Sequence, residues 1–233
     1  MSQDTQNTLP FASILGKKVE ADFDGGNVTT DGGVLFLRQV ESDVRIISRI
    51  VSCLPDRRHA SYVKHPVEEM IRQRVFQIAC GYEDANDCND LRRDPGFKAA
   101  CDRLPLSGED LSSQPTMTRL ENSVSRTGLY RIARVLVDGF LASYKDPPEA
   151  IILDIDDTDD PTHGAQQLSL FNAYYDEHCF LPLHIFEGQS GKLITTLLRP
   201  GRPFCGKQVV SILKRLVAYI RKAWPHVTIF LRG

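Results

Sequence analysis

Three carboxylates crowd positions 154–157 in the segment Leu153-Asp154-Ile155-Asp156-Asp157-Thr158-Asp159-Asp160, immediately after the apolar run Ile151-Ile152-Leu153. The period of a strand puts Asp154 and Asp156 on one face, with Ile155 and Asp157 on the other. Charge inside a buried strand is costly, so carboxylates kept there point to chemistry. Packed carboxylates repel one another unless something positive sits among them, and hard divalent cations with oxygen ligands are the usual solution. In two-metal phosphodiester chemistry, one carboxylate bridges cations about 3.5–4 Å apart. One cation activates the attacking water or 3′-hydroxyl, and the other stabilises the leaving oxygen. A strand in the middle of a sheet is a rigid mount for such a ligand.

The elements that must position these groups follow from periodicity. EAIILDID (149–156), CFLPLHIF (179–186) and KLITTLLR (192–199) read as strands, the last two joined by the tight EGQSG turn. An amphipathic helix over 204–224 follows, with Val209, Val210, Leu213, Leu216, Val217 and Ile220 as its apolar stripe, and HVTIFLRG is a fourth strand. The order is β-β-β-α-β. Upstream, residues 19–41 read as a short β-ribbon running into a helix. From Val40 to about Tyr144 the spacing is helical, with helices near 46–51, 67–78, 119–123 and 128–144. Leu129, Ile132, Ala133, Leu136 and Phe140 make the apolar face of the last. KDPPEA (145–150) is a loop by composition and marks a boundary. The expected domains are 1–40, a β-ribbon and lead-in; 41–145, helical; and 149–233, the strand-rich part.

Charge is distributed in a step. From Ile151 to Glu187 there is no Lys or Arg, and the acids are Asp154, Asp156, Asp157, Asp159, Asp160, Asp176, Glu177 and Glu187. From Gly188 to Gly233 there is no Asp or Glu, while the bases include Arg199, Arg202, Lys207 and Arg232. A basic surface beside an acidic pocket suits a phosphate backbone. The alternative is that the two stretches neutralise each other within one folded domain. Net charge is only −2, so the total implies no partner. The six cysteines form no C-x-x-C pair, which argues for free thiols in a reducing cytoplasm. The start carries no basic-then-apolar pattern, and no run reaches the roughly 20 apolar residues of a membrane span.

Several stretches together resemble the DDE transposases of the thirteen-eighty insertion-sequence family: FDGGNVTTDGGVLFL, LRRDPGFKAACDRLP (91–105), LSSQPTMTRLENSV (111–124), LDIDDTDDPTHGAQQ (153–167) and YYDEHCFLPLHIFEGQSGKLITTLLRPG (174–201). The resemblance spans almost the whole chain. It implies an α/β fold, with a helical amino-terminal region that helps bind the element's terminal repeats and an incomplete ribonuclease-H-like domain whose opening order is β-β-β-α-β. It also implies an Asp-Asp-Glu triad, Mg²⁺ (or Mn²⁺), DNA as partner, a homodimer as one assembly, no membrane, and a bacterial cytoplasm near the nucleoid. The family's first Asp lies on the first strand as Asp-x-Thr or Asp-x-Ser. Asp156-Asp157-Thr158 fits, so Asp156 is expected as catalytic and metal-binding residue, with Asp154 as second choice. The second Asp follows the fourth strand, after Arg-Gly; here the chain reads Arg232-Gly233 and ends, so a truncated domain, inactive by itself, is expected.

Arg92, Arg93 and Arg119 of the helical region, and Arg199, Arg202 and Lys207 of the basic stretch, are the expected DNA contacts. Arg57, Arg58, Arg72, Arg74 and Arg126 are available too, with a solvated helix surface as the alternative for each. Trp224 and Phe230 are expected in the core. Two rivals use the same residues. Asp154-x-Asp156-x-Thr158 matches the nucleophile motif of haloacid-dehalogenase phosphatases, in which the first Asp attacks phosphorus and the second is general acid. A non-enzymatic DNA-binding fragment would keep the basic residues and lose the chemistry.

Overall fold

The structure is a computed structural model that describes residues 9–21, 28–164, 166–202 and 206–233. The chain divides into two compact units, 1–129 and 130–233. The division falls inside a helix, upstream of the 145–150 loop where composition placed it.

In the first unit, β1 (Leu9–Ile14) and β2 (Lys17–Ala21) form an antiparallel hairpin. Its reversal is at Leu15-Gly16, both at positive φ, and not at the Gly-Gly pair of 25–26, which lies outside the described residues. Helices α1 (Val34–Val44), α2 (Ile46–Ser52), α3 (Val67–Ala79), α4 (Cys88–Leu91), α5 (Pro95–Ala100) and α6 (Gln114–Ser123) follow. The buried Glu41 carboxylate accepts from the Ile47 and Ser48 amides, satisfying the first turn of α2. Asp94 caps α5 through the Phe97 amide, with Pro95 in the first turn. Two core clusters form, one around Val34, Ile47, Phe76, Phe97 and Leu111, the other around Val67, Met70, Met117 and Leu120.

Motifs far apart in sequence meet here. Thr29 donates to Asp94 at 2.9 Å, and Tyr82 donates to Asp31 at 2.9 Å. Gly96 sits so close to Thr29 that a Cβ would come within 2.9 Å of its hydroxyl. Ser112 and Gln73, both fully buried, exchange bonds from backbone and side chain at 2.5–3.0 Å. The VTTDGG (28–33), LRRDPGF and LSSQPT segments therefore hold this unit together.

Helix α7 (Arg126–Ala142) carries the chain into the second unit. There β3 (Ala150–Asp157) is central in a four-stranded sheet of order β8-β7-β3-β9. It pairs antiparallel with β7 (Leu183–Glu187) and parallel with β9 (Thr228–Arg232), while β8 (Leu193–Leu197) is antiparallel to β7. Helix α8 (Gly206–Ala223) lies between β8 and β9 in sequence; positions 204 and 205 of the expected helix lie outside the described residues. In the larger sheet β3, β7, β8, α8 and β9 follow the expected β-β-β-α-β order, but additional short strands stand between β3 and β7. The 179–186 strand is broken at Leu181-Pro182, because proline cannot donate to a ladder. Its first part becomes β6 (Glu177–Phe180), the middle of a small sheet with β4 (Asp160–Pro161) and β5 (Leu170–Asn172).

One face of the larger sheet is packed. Ile151 and Leu153 of β3 and Leu183 and Ile185 of β7 join Val137, Phe140, Leu216, Ile220 and Trp224 from the two helices. Each such buried side chain contributes roughly 1.5–3 kcal/mol of transfer free energy. The helix faces differ from the expected stripes: Leu129 and Val210 are exposed, and Val137 and Ile212 face the core. Phe230, expected inside, is 56% exposed because it alternates onto the opposite face of the sheet.

Candidate functional site

Strand alternation sorts the three carboxylates of β3. Asp154 and Asp156 share the face away from the packed core, and Asp157 points to the other side. Each meets a different environment.

Asp154 lies level with Arg232 on the parallel neighbour β9. Arg232 donates through Nε and Nη2 to its two carboxylate oxygens, a bidentate fork. The hydrogen bond and charge of Asp154 hold the guanidinium above its ordinary pKa. Gly188 closes over the pair, and a Cβ there would come within 2.8 Å of Asp154 Oδ2. Asp157 accepts at 2.8 Å from Nη2 of Arg199, whose Nε donates to the Leu181 carbonyl at 3.0 Å. Both arginines come from the basic stretch, so two of the three carboxylates are neutralised from within the fold, as one reading of the charge step had it.

Asp156 is different. It is exposed, lies opposite His184 in the antiparallel register, and has no hydrogen-bond or ion-pair partner among the described residues. The Nδ1 of His184 is 3.0 Å from the Thr196 hydroxyl. Just beyond the strand, burial and a hydrogen bond with Asp159 push the Glu177 carboxyl above the usual carboxylate range. The Tyr175 hydroxyl is raised by burial, then by the charges of Asp159, Asp157 and Asp156. The acidic end of the sheet thus includes Glu177 and Tyr175, which spacing alone did not reveal; the β4–β6 pairing brings them in. Glu187 belongs elsewhere. It is buried and accepts from the Ile152, Gln189 and Ser190 amides and the Ser190 hydroxyl, closing the 187–191 turn. Burial raises its carboxyl, but these donors outweigh burial and hold it low. Among the described residues no three His, Cys, Asp or Glu side chains form a metal-holding group.

The expected basic contacts divide as well. Arg199 is 9% exposed and ties Asp157 and Leu181 together. Arg202 and Lys207 are exposed. Arg92 and Arg93 both lean toward Asp110, at 3.7 and 3.3 Å. Arg119 is exposed and, among the described residues, reaches only the Thr116 hydroxyl, at 3.3 Å. Arg72 and Arg74 are held by Asp102 with Glu68 and by Glu121. Among the described residues, Cys53, Cys80, Cys88, Cys101 and Cys179 are free thiols.

The model of the family described as transposase DDE domain, group 1, matches residues 11–233. The chain belongs to the DDE transposase domain family. No curated protein and no solved structure matches it. Membership in a DDE transposase family makes DNA the substrate and transposition the general activity. No helix of the described residues is long and apolar enough to cross a membrane.

Proposed function

We propose that the chain serves an insertion-sequence transposase of the thirteen-eighty type, acting on the element's terminal inverted repeats and on target DNA. Its second unit is read as the opening β-β-β-α-β of a ribonuclease-H-like domain, and Asp156 as the first metal-binding carboxylate. The observation that carries this is the state of Asp156. Its same-face neighbour Asp154 is saturated by Arg232, while Asp156 is exposed and has no partner among the described residues. The parallel register of β3 and β9 pairs Asp154 with Arg232 and runs on toward Asp156 at the end where Gly233 stands.

One carboxylate fits magnesium in part. Mg²⁺ keeps several waters and is commonly held by one or two carboxylates together with substrate phosphates. Bound at Asp156, Mg²⁺ or Mn²⁺ would supply Lewis-acid activation of a hydroxyl and neutralise phosphate charge. Arg232 and Arg199 neutralise the adjacent Asp154 and Asp157, which keeps the strand end from repelling a phosphate backbone. The phosphatase reading asks Asp154 to attack phosphorus, and both oxygens of Asp154 are occupied by Arg232.

The test is a gel shift of the full chain on terminal-repeat DNA with Mn²⁺, alongside electron paramagnetic resonance of bound Mn²⁺. DNA binding and a Mn²⁺ signal lost in Asp156→Asn but kept in Asp154→Asn support the reading. A Mn²⁺ signal indifferent to Asp156→Asn would sink it.

A further inference from the structure

The helical unit contains a cavity that the acidic sheet end does not account for. It opens between the end of α2, the start of α3, α6 and the first turn of α7, and measures about 530 Å³. That is inside the roughly 300–1,000 Å³ range of small-molecule sites. Its floor is apolar, with Cys53, Val67, Met70 and Leu120 all buried. Arg57, Arg58 and Arg119 stand around it, together with the hydroxyls of Thr116 and Ser123.

The arginines are not equally engaged. Arg58 is taken by Asp56 at 2.7 Å and by the His65 carbonyl at 3.0 Å. Arg57 has no carboxylate partner among the described residues, and Arg119 has only the Thr116 hydroxyl. Elsewhere in the same unit Arg38, Arg72, Arg74 and Arg103 are each bonded to carboxylates. Uncompensated guanidiniums beside an apolar chamber select a ligand that is flat and apolar at one end and anionic at the other. Hydroxyls, which both donate and accept, suit the edge of a heteroaromatic ring.

Resting on the DNA reading above, we propose that this cavity binds a single unpaired nucleotide, its base on the floor formed by Met70 and Leu120 and its 5′-phosphate at Arg57 and Arg119. Bases inside a duplex cannot enter such a site. The nucleotide must be single-stranded or lifted from the stack. Guanidinium–phosphate hydrogen bonds supply the anionic half of the recognition, and burial of the base supplies the rest.

The full chain is titrated with 2-aminopurine deoxyribonucleoside 5′-monophosphate and followed by base fluorescence. A saturable emission change is expected, with Arg57→Ala and Arg119→Ala each weakening Kd about tenfold, equivalent to ~1.4 kcal/mol. The nucleoside without its phosphate is expected to bind weaker by a similar factor. Both arginines are exposed, so unchanged melting curves will show that the variants fold. No saturable change, an unaltered Kd in both variants, or displacement by inorganic phosphate as effective as by thymidine monophosphate would overturn the proposal. A duplex gel shift run in parallel separates the two readings. Nucleotide binding without a duplex shift upholds the cavity and overturns the DNA reading; a duplex shift without an emission change does the reverse.

Discussion

Asp154 and Arg232 stand side by side on the parallel strands β3 and β9, joined by two hydrogen bonds under the backbone of Gly188. This pair fastens the edge strand β9 to the centre of the sheet, so its loss and the loss of Asp156 should have opposite signatures. Asp154→Asn is expected to lower the urea midpoint, because Arg232 loses its anionic partner. Asp156→Asn is expected to leave the midpoint unchanged, since no partner is lost. Equal drops in both variants would show that Asp156 has a structural partner.

Arg199, Arg202 and Lys207 are neighbours in the basic stretch with different duties. Removing one member of a buried ion pair costs about 3–5 kcal/mol. Asp157 keeps 35% of its side chain exposed, so Arg199→Ala should destabilise by about 2 kcal/mol once solvent screening is allowed for. Arg202→Ala and Lys207→Ala should change stability by less than about 0.5 kcal/mol. If they touch phosphates, each should lower the salt dependence of DNA binding by about one ion. Chemical denaturation and salt-titrated gel shifts read the two effects separately.

Gln73 and Ser112 form a closed exchange with no solvent access. In Gln73→Met the Ser112 amide and hydroxyl are left buried without a partner, which should cost about 2–3 kcal/mol. Ser113→Ala, one residue along and half-buried, should cost less than about 1 kcal/mol. Similar losses in thermal melts of the two variants would contradict this ranking.

Gly201 has no room for a side chain: a Cβ would run into the carbonyl oxygens of Cys179 and Leu170. Its own carbonyl also accepts from the buried Asn172 side chain. Gly201→Ala must therefore displace strand backbone of the small sheet, at a cost of about 3 kcal/mol. Amide exchange along β5 and β6 should rise in that variant while β3 stays protected.

Acid stability of the helical unit should report Glu69. Burial raises its carboxyl, but hydrogen bonds from His65 and Arg103 and the Arg103 charge outweigh this and lower it. A carboxyl held lower in the folded state stabilises above its unfolded pKa, and that contribution is lost as pH falls through the folded value. Stability should therefore decline as pH drops below the ordinary glutamate value near 4.5. Glu69→Gln should be less stable at pH 7 and flatter with pH over that acid range. A wild-type slope preserved in Glu69→Gln would assign the acid transition to other groups.

The strands of the larger sheet were legible in the order of residues because their alternation and their turn signals are local, whereas the short β4 and β5 were not. The segment IILDID must bury Ile151, Leu153 and Ile155 on one side, which commits Asp154 and Asp156, with Ile152, to the other. The broken strand at Pro182 was legible in principle, since proline interrupts a ladder wherever it falls. Helix faces were less so. Leu129 and Val210 fit an apolar stripe as well as Val137 and Ile212 do, and only the partner surface chooses among them. Tertiary structure alone decided how the carboxylates differ. Asp154, Asp156 and Asp157 are chemically alike and adjacent in sequence; arginines 78 and 42 residues away, on β9 and just after β8, neutralise two and leave one. Pairing across such distances depends on sheet register, which is a property of the folded chain as a whole.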